Sequence, residues 1–209
     1  MAKKIDFCYI NSLAKRQDVL NVGRSLAEYV QSQEIQQVMF LDRSARPGYY
    51  VMRCAWQRYF PDKPLPRIYF TNPDGYKYRK KEAIAEELAE SYPALIQSRQ
   101  EELLLADVCL HSGKSMKKVK EALDYVGFKN IFVGIMQPFE SRYGKRVTTP
   151  PINIDFVASP KRLTGLCNPF SIDWFVLKTE SVISEAYRGE EREHGRNIRE
   201  EIKRIFREL

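Results

Sequence analysis

The sequence predicts an α/β protein with a mostly parallel central sheet flanked by helices, followed by a charged helical tail at the C-terminus. Short apolar segments typical of buried strands alternate along the chain with segments of helical periodicity. Such alternation favours right-handed crossovers between parallel strands. We divide the chain into an α/β domain over residues 1–178 and a helical extension over residues 179–209.

The elements are predicted in the following order. Residues 1–17 form an irregular or strand-like leader, and Asp18 is the expected N-cap of a first helix that runs to Gln33. The predicted strands are Gln37–Leu41, Arg67–Thr71, Leu103–Leu110, Asn130–Ile135, Ile152–Val157 and Trp174–Leu177. The further helices are Tyr49–Tyr59, Lys81–Tyr92, Ser115–Val126 with Gly127 at its end, and a helix or helix pair from Glu180 onward.

The C-terminal helix is predicted to be amphipathic. Its apolar face carries Ile198, Ile202, Ile205, Phe206 and Leu209. A face of this kind favours an interface or docking surface over a cofactor site. We therefore expect a homo-oligomer, or a protein complex, that forms through this helix.

The charge of the chain is unevenly distributed. The net charge is +7, yet residues 178–209 carry eight Lys/Arg and eight Glu, so the whole excess lies in residues 1–177. Basic clusters occur at 76–81, 142–146 and 161–162, and such a balance suits a polyanionic ligand. No apolar segment reaches the roughly 18–20 residues of a membrane span, and no secretory signal is visible. The four cysteines are scattered, which favours a reduced, cytoplasmic protein without a membrane partner.

The segment EELLLADVCLHSGKS, residues 101–115, runs from a buried-strand pattern through a small-residue turn into a helix. This geometry points backbone N–H groups and a helix N-terminus at the space above the strand end, where a phosphate fits. A P-loop would need a glycine at position 108 in addition to Gly113-Lys114-Ser115, and residue 108 is valine. The sequence therefore excludes a P-loop kinase.

The same segment resembles the phosphoribosyl-pyrophosphate loop of type I phosphoribosyltransferases. Asp107 matches the first acid of that motif, and Ser112, Gly113, Lys114 and Ser115 match the turn that holds the 5-phosphate. The order of the other loops is also similar, with Asp42–Gly48 as the pyrophosphate loop and a mobile catalytic loop starting near Tyr76. The resemblance covers roughly Asp18 to Met136.

The resemblance implies a Mg²⁺-dependent transfer of a phosphoribosyl group to a base with release of pyrophosphate. Asp107 would contact the ribose and the metal, and the turn at 112–115 would bind the 5-phosphate. The pyrophosphate would lie on Arg43, Ser44, Ala45 and Arg46, because guanidinium groups and loop N–H groups suit phosphate oxygens. Asp107, His111, Lys77 and Arg79 are the candidate catalytic residues.

Two further hypotheses remain open. Val108 and His111 stand where the family usually has acids, which favours a catalytically divergent protein that senses a nucleotide or serves as an effector subunit of a larger complex. The basic clusters also permit binding to nucleic acid, with a steep dependence on salt. No aromatic RNA-binding motif or helix-turn-helix pattern supports that third hypothesis.

Overall fold

The computed structural model of the chain describes residue 7 and residues 10–42, 45–72, 78–108, 113–137, 152–160 and 192–209. Within these ranges the strands are β1 Gln37–Leu41, β2 Arg67–Thr71, β3 Leu103–Asp107, β4 Ile131–Ile135 and β5 Phe156–Val157. The helices are α1 Leu13–Ser32, α2 Arg46–Tyr59, α3 Lys81–Ser91, α4 Pro93–Gln97, α5 Lys114–Tyr125 and α6 Arg192–Glu208. None of the helices in the described part of the chain is long and apolar enough to cross a membrane.

The five strands form one sheet in the order β2-β1-β3-β4-β5, and every neighbouring pair is parallel. This confirms the predicted α/β fold with a parallel central sheet. A parallel sheet must be covered on both faces, which explains why its central strands β1 and β3 are almost entirely apolar. All five residues of β1 are buried, as are the first four of β3.

Two apolar clusters lie on the two faces of the sheet. On one face α1 and α2 share an apolar cluster with alternate residues of β1 and β3, among them Val38, Phe40 and Leu104, and α6 packs on α1 and α2. On the other face α3 and α5 pack against the remaining alternate residues, including Met39 and Leu105. The period of two along each strand therefore divides the core into two layers.

The first helix begins earlier than its apolar periodicity predicts. It starts at Leu13, and the hydroxyl of Ser12 accepts a hydrogen bond from the backbone N–H of Lys15 at 3.2 Å. The predicted N-cap, Asp18, lies inside the helix instead. A side-chain cap at Ser12 and the helix-favouring residues 14–17 extend the helix beyond the face that packs on the core.

The loops at the carboxyl ends of β1 and β3 also differ from the prediction. Helix α2 begins at Arg46, so the last three residues of the predicted loop Asp42–Gly48 form its first turn, with Pro47 near its start. Strand β3 ends at Asp107 and does not extend to Leu110. The predicted strand at 174–177 and the chain between 161 and 191 lie outside the described residues.

The predicted strand Ile152–Val157 was too long, because only Phe156 and Val157 pair with β4 and form β5. Most of the remaining predicted elements agree closely with the structure. The bounds of β1 and β2 are as predicted, while α3, α5 and β4 each start or end within one residue of their predicted limits. Gly127 has a φ of 96° and directly follows the C-cap of α5, as expected for a glycine that ends a helix. The short helix α4 was not predicted.

Helix α6 packs on its own chain. Ile198, Ile202, Ile205 and Phe206 are buried against α1 and α2, whereas Leu209, predicted on the same face, is 46% exposed. The buried carboxylate of Glu201 accepts a hydrogen bond from the backbone N–H of Ile10 at 2.8 Å. The apolar face that suggested an interface is therefore covered by helices of the same chain.

A glycine permits the close approach of α1, α2 and α6. A Cβ atom on Gly23 would lie 2.5 Å from the ring tip of Phe206 and 2.9 Å from Val51. Both distances are shorter than van der Waals contact. Gly23 is therefore required at this junction by packing rather than by backbone conformation.

We expect Gly23→Ala to lower the free energy of unfolding by about 1–3 kcal/mol, as overpacked cores do. At an exposed helical site the same change would raise the free energy of unfolding by roughly 0.5–1 kcal/mol. The sign of the change therefore shows whether close packing limits this position. Urea denaturation followed by circular dichroism measures it. The double variant Gly23→Ala/Phe206→Leu should recover part of the loss, and a stabilised single variant would contradict the packing.

Candidate functional site

Buried polar side chains concentrate at one edge of the sheet. Among the described residues eight polar or charged side chains are buried, and six of them lie at or just after the carboxyl end of a strand. We call this region the carboxyl edge; its buried polar residues are Asp42, Arg46, Thr71, Asn72, Gln137 and Ser159. Because buried polar groups must be hydrogen-bonded, their concentration marks the place where the fold can present fixed donors and acceptors to a ligand.

The strand order identifies the position along this edge where a ligand fits best. The chain passes from β1 to β2 on one side and then to β3 on the other side of β1. In open parallel sheets ligands bind at such a reversal, outside the carboxyl ends of the strands. Asp42 directly follows β1 and Asp107 ends β3, so the two carboxylates flank this point.

Asp107 is half-buried at the end of β3. Its Oδ1 atom accepts a hydrogen bond from the backbone N–H of Val108 at 2.7 Å, and its carbonyl oxygen accepts one from Met136 at 3.1 Å. These bonds hold the carboxylate against the strand end. Val108, the next residue, is only 3% exposed and belongs to the apolar cluster on the side of α1, α2 and α6.

The start of α5 has features of an anion site. Gly113 precedes the helix with φ 63° and ψ 0°, a left-handed conformation that glycine adopts without strain, and its carbonyl oxygen accepts from the N–H of Lys117. The first turn contains no acid. Lys114 is exposed and Ser115 is half-buried. The positive end of the helix dipole therefore lies beside lysine side chains. A bound anion would stabilise this concentration of positive charge.

Asp42 and Arg46 form a buried ion pair beside β1. The Nε and Nη2 atoms of Arg46 donate to the same oxygen, Oδ2 of Asp42, at 2.8 and 2.5 Å. The guanidinium carbon also lies 4.0 Å from the centre of the Phe70 ring, and Arg46 is only 8% exposed. These contacts join the end of β1 to the first turn of α2 and to β2.

Tyr92 supports the end of β2 from the other side. Its hydroxyl donates to the carbonyl oxygen of Phe70 at 2.7 Å. Burial raises the pKa of Tyr92 above its ordinary value, although the nearby positive charge of Arg46 opposes this shift. The phenol is therefore neutral at physiological pH and acts as a fixed donor.

Arg79 is folded onto α3. Its Nη1 atom donates to the carboxylate of Glu87, and its Nη2 atom donates to the carbonyl oxygen of Ala83 at 3.2 Å. Arg79 thus ties the segment before α3 to that helix. A role in closing over a ligand would require it to exchange these partners.

The structure describes only part of the predicted site. Ala45, Arg46, Arg79, Asp107, Gly113, Lys114 and Ser115 are described, and all except Arg79 lie at the carboxyl ends of β1 and β3 or in the first turn of α5. The other predicted residues, which are Arg43, Ser44, Lys77, His111 and Ser112, lie outside the described residues. Their assigned roles stay predictions.

Three residues of the carboxyl edge were not singled out from the sequence. Asn72, Gln137 and Ser159 were not among the predicted site residues, yet each is buried just beyond the end of β2, β4 or β5. One signal could have found them, namely a polar residue placed directly after an apolar strand of a parallel sheet. No group of three or more metal-binding side chains occurs among the residues that the structure describes.

No protein-family model matches the chain, and neither does any curated protein. Among solved structures, it is similar to a hypoxanthine phosphoribosyltransferase of Trypanosoma cruzi, with 11% identity, a TM-score of 0.44, and coverage of 83% of this chain and 93% of that chain. The hypoxanthine phosphoribosyltransferase of Staphylococcus aureus gives 12% identity, a TM-score of 0.43, and coverage of 68% and 73%. The purine phosphoribosyltransferase of Pyrococcus horikoshii gives 11%, 0.43, and coverage of 68% and 80%.

These solved enzymes belong to the class that the segment at 107–115 resembles. TM-scores below 0.5 at such low identity assign neither an activity nor a ligand to this chain.

We expect Asp42→Asn to lower the free energy of unfolding by about 3 kcal/mol, because it removes the carboxylate charge that faces the buried guanidinium of Arg46. Thermal and urea denaturation measure the loss. The matched control is Glu28→Gln, which removes an exposed pair with Arg24 at the same spacing of four residues and should change stability little. Equal losses of stability in the two variants would show that the buried pair stabilises the fold no more than the exposed pair does.

Proposed function

We propose that the chain binds a ribose phosphate, either phosphoribosyl pyrophosphate or a related nucleotide, at the carboxyl edge between β1 and β3. The observation that carries this proposal is the pairing of Asp107 at the end of β3 with the left-handed Gly113 that opens α5. A carboxylate suits sugar hydroxyls, and a helix N-terminus suits a phosphate. The two lie in consecutive elements at one end of the sheet.

The 5-phosphate would occupy the N-terminus of α5. Free backbone N–H groups of the first turn point out of the helix there, and no acid in that turn competes with the phosphate. Lys114 is exposed at this end and adds a positive charge. The predicted turn at 112–115 completes this subsite in the proposal.

Asp107 would hold the ribose and share Mg²⁺ with the ligand. Magnesium is commonly bound by one or two carboxylates together with phosphate oxygens and water, so one protein carboxylate is compatible with it. Oδ1 of Asp107 already accepts from Val108, which orients the group. A bound metal would neutralise charge on the pyrophosphate.

In the transferase form of the proposal, pyrophosphate leaves C1 of the ribose as the base attacks. Catalysis then consists mainly of positioning and electrostatic stabilisation of the leaving group. Arg46 already binds the carboxylate of Asp42 and stacks on the Phe70 ring, so in this proposal it holds the loop in place. Residues next to Arg46 contact the pyrophosphate directly. Arg43, Ser44 and Lys77 are the proposed direct contacts, with Ala45 contributing backbone groups and Arg79 and His111 assisting.

A second candidate function is a nucleotide-sensing or effector subunit without turnover. The observation that favours it is the burial of Val108 in an apolar cluster. At the position where the family usually carries a second ribose-binding acid, this chain places a core residue. Ribose would then be held by Asp107 alone, which suits binding more than transfer.

We expect isothermal titration to detect phosphoribosyl pyrophosphate in the presence of Mg²⁺, and Asp107→Asn to weaken binding by about tenfold or more, the worth of a charged hydrogen bond. The control is Asp124→Asn, which alters an exposed pair with Lys120 in the last turns of α5 and should leave affinity unchanged. If the folded wild-type protein shows no binding up to about 1 mM ligand, the proposal fails. Release of pyrophosphate in the presence of purine bases separates the transferase from the sensor.

The substitution Val108→Asp, which would recreate the usual acid pair, is expected to destabilise the protein by about 2–4 kcal/mol without restoring transfer. The physical reason is that residue 108 is buried among apolar side chains, where a carboxylate loses its hydration. Denaturation curves and pyrophosphate release measure the two effects. A stable and active variant would show that this side chain can turn toward the ligand.

A further inference from the structure

A cavity lies away from the carboxyl edge, between the outward faces of α2 and α6. Its volume is about 480 Å³, and five of its lining side chains are basic. None of its lining residues in the described part of the chain carries a carboxylate. The basic residues are Arg53, Arg58, Arg199, Lys203 and Arg207. We call this cavity the basic cleft.

The positive charges are arranged in rows by the two helices. On α6, Arg199, Lys203 and Arg207 recur every four residues and so lie on one face. At 1.5 Å per residue this row extends for about 12 Å along the helix. On α2, Arg53 and Arg58 lie on the face that turns toward the row. A single phosphate is too small to meet cations spread over this length.

Most of these cations have neutral partners within the described part of the chain. Arg58 donates to the carbonyl oxygen of Phe206 at 2.6 Å, and Arg199 donates to that of Gly195 at 3.1 Å. Arg53 donates to the hydroxyl of Tyr49 at 3.3 Å. Only Lys203 has a carboxylate partner there, Glu200 at 2.7 Å. The cleft therefore keeps an excess of positive charge, and like charges at this range repel.

The remaining lining completes a pocket for a compact anion. Tyr50 is half-buried and has the guanidinium of Arg199 5.2 Å from its ring centre, so this face is not open for stacking a base. Burial raises the pKa of the Cys54 thiol, although Lys203, Arg53 and Arg207 oppose that shift. The thiol is neutral and adds no negative charge. Single-stranded nucleic acid is recognised largely through exposed aromatic faces, which the lining lacks.

We propose that the basic cleft binds a polyphosphate chain, either free or as the tail of a nucleoside triphosphate. Several phosphates in a row match the length of the α6 row, and guanidinium groups bind their oxygens with two parallel hydrogen bonds. Bound polyphosphate relieves the electrostatic repulsion between the basic side chains of α2 and those of α6. This site is separate from the ribose-phosphate site, and α2 connects the two because its first turn carries Arg46.

The test is isothermal titration of the full chain with inorganic triphosphate and, separately, with ATP. We expect triphosphate to bind with a dissociation constant of about 10 µM or tighter at low salt. Equal affinity for ATP would show that the cleft recognises only the phosphates. Tighter binding of ATP would identify a nucleotide as the preferred source. If neither ligand binds at about 1 mM, the proposal is overturned.

The variant Arg53→Gln/Arg207→Gln removes two cations from the cleft. It should weaken triphosphate binding by about 100-fold, since each charged hydrogen bond is worth roughly tenfold. It should also raise the melting temperature of the unliganded protein, because repulsion is relieved. The matched control Arg24→Gln/Lys120→Gln removes the same charge from the exposed faces of α1 and α5. It should change affinity by less than about threefold.

Four further outcomes would overturn the proposal. Equal loss in the cleft variant and in the control would show attraction by net charge only. A lowered melting temperature in the cleft variant would show that the cations are structural. Loss of triphosphate binding in Lys114→Ala but not in the cleft variant would move binding to the carboxyl edge. A short single-stranded RNA that binds through the cleft when triphosphate does not would identify nucleic acid as the ligand instead.

Discussion

All five strands of the described sheet run in the same direction, and most of the molecule follows from this constraint. Parallel strands must be joined by crossovers that cover the sheet, so both faces are apolar and neither can hold a polar ligand. The carboxyl ends of all five strands therefore lie at one edge of the sheet. Polar residues can be placed there without interrupting the core, and six of the eight buried polar residues lie at that edge.

The buried pair of Asp42 and Arg46 fixes the relation between the sheet and α2. A charged pair in the interior is tolerated only with close geometry, and here both guanidinium contacts converge on one carboxylate oxygen above an aromatic ring. The first turn of α2 is thereby held against the ends of β1 and β2. The same helix presents its outer face to α6, so the carboxyl edge and the basic cleft share one structural support.

The sequence predicted most of the fold because the strands are short, largely apolar segments with clear limits. Residues 37–41 and 67–71 are flanked by polar and turn-forming residues, so the first and last residues of both strands could be predicted from the sequence. The starts of α1 and α2 were placed too late, since Ser12 and Arg46 precede the apolar periodicity of their helices. Local capping and tertiary contacts extend both helices beyond the segment that periodicity detects.

The site was predicted only where its residues lie close together along the chain. Asp107 and Gly113 are six positions apart and follow one strand, so the strand-turn-helix pattern was visible in the sequence alone. Two contacts needed the tertiary structure, because they depend on how distant elements pack. These are the stacking of Arg46 on Phe70 and the hydrogen bond between Arg58 and Phe206, residues 148 positions apart. Periodicity determines which residues are buried, whereas only the folded chain decides which charges face each other across a cleft.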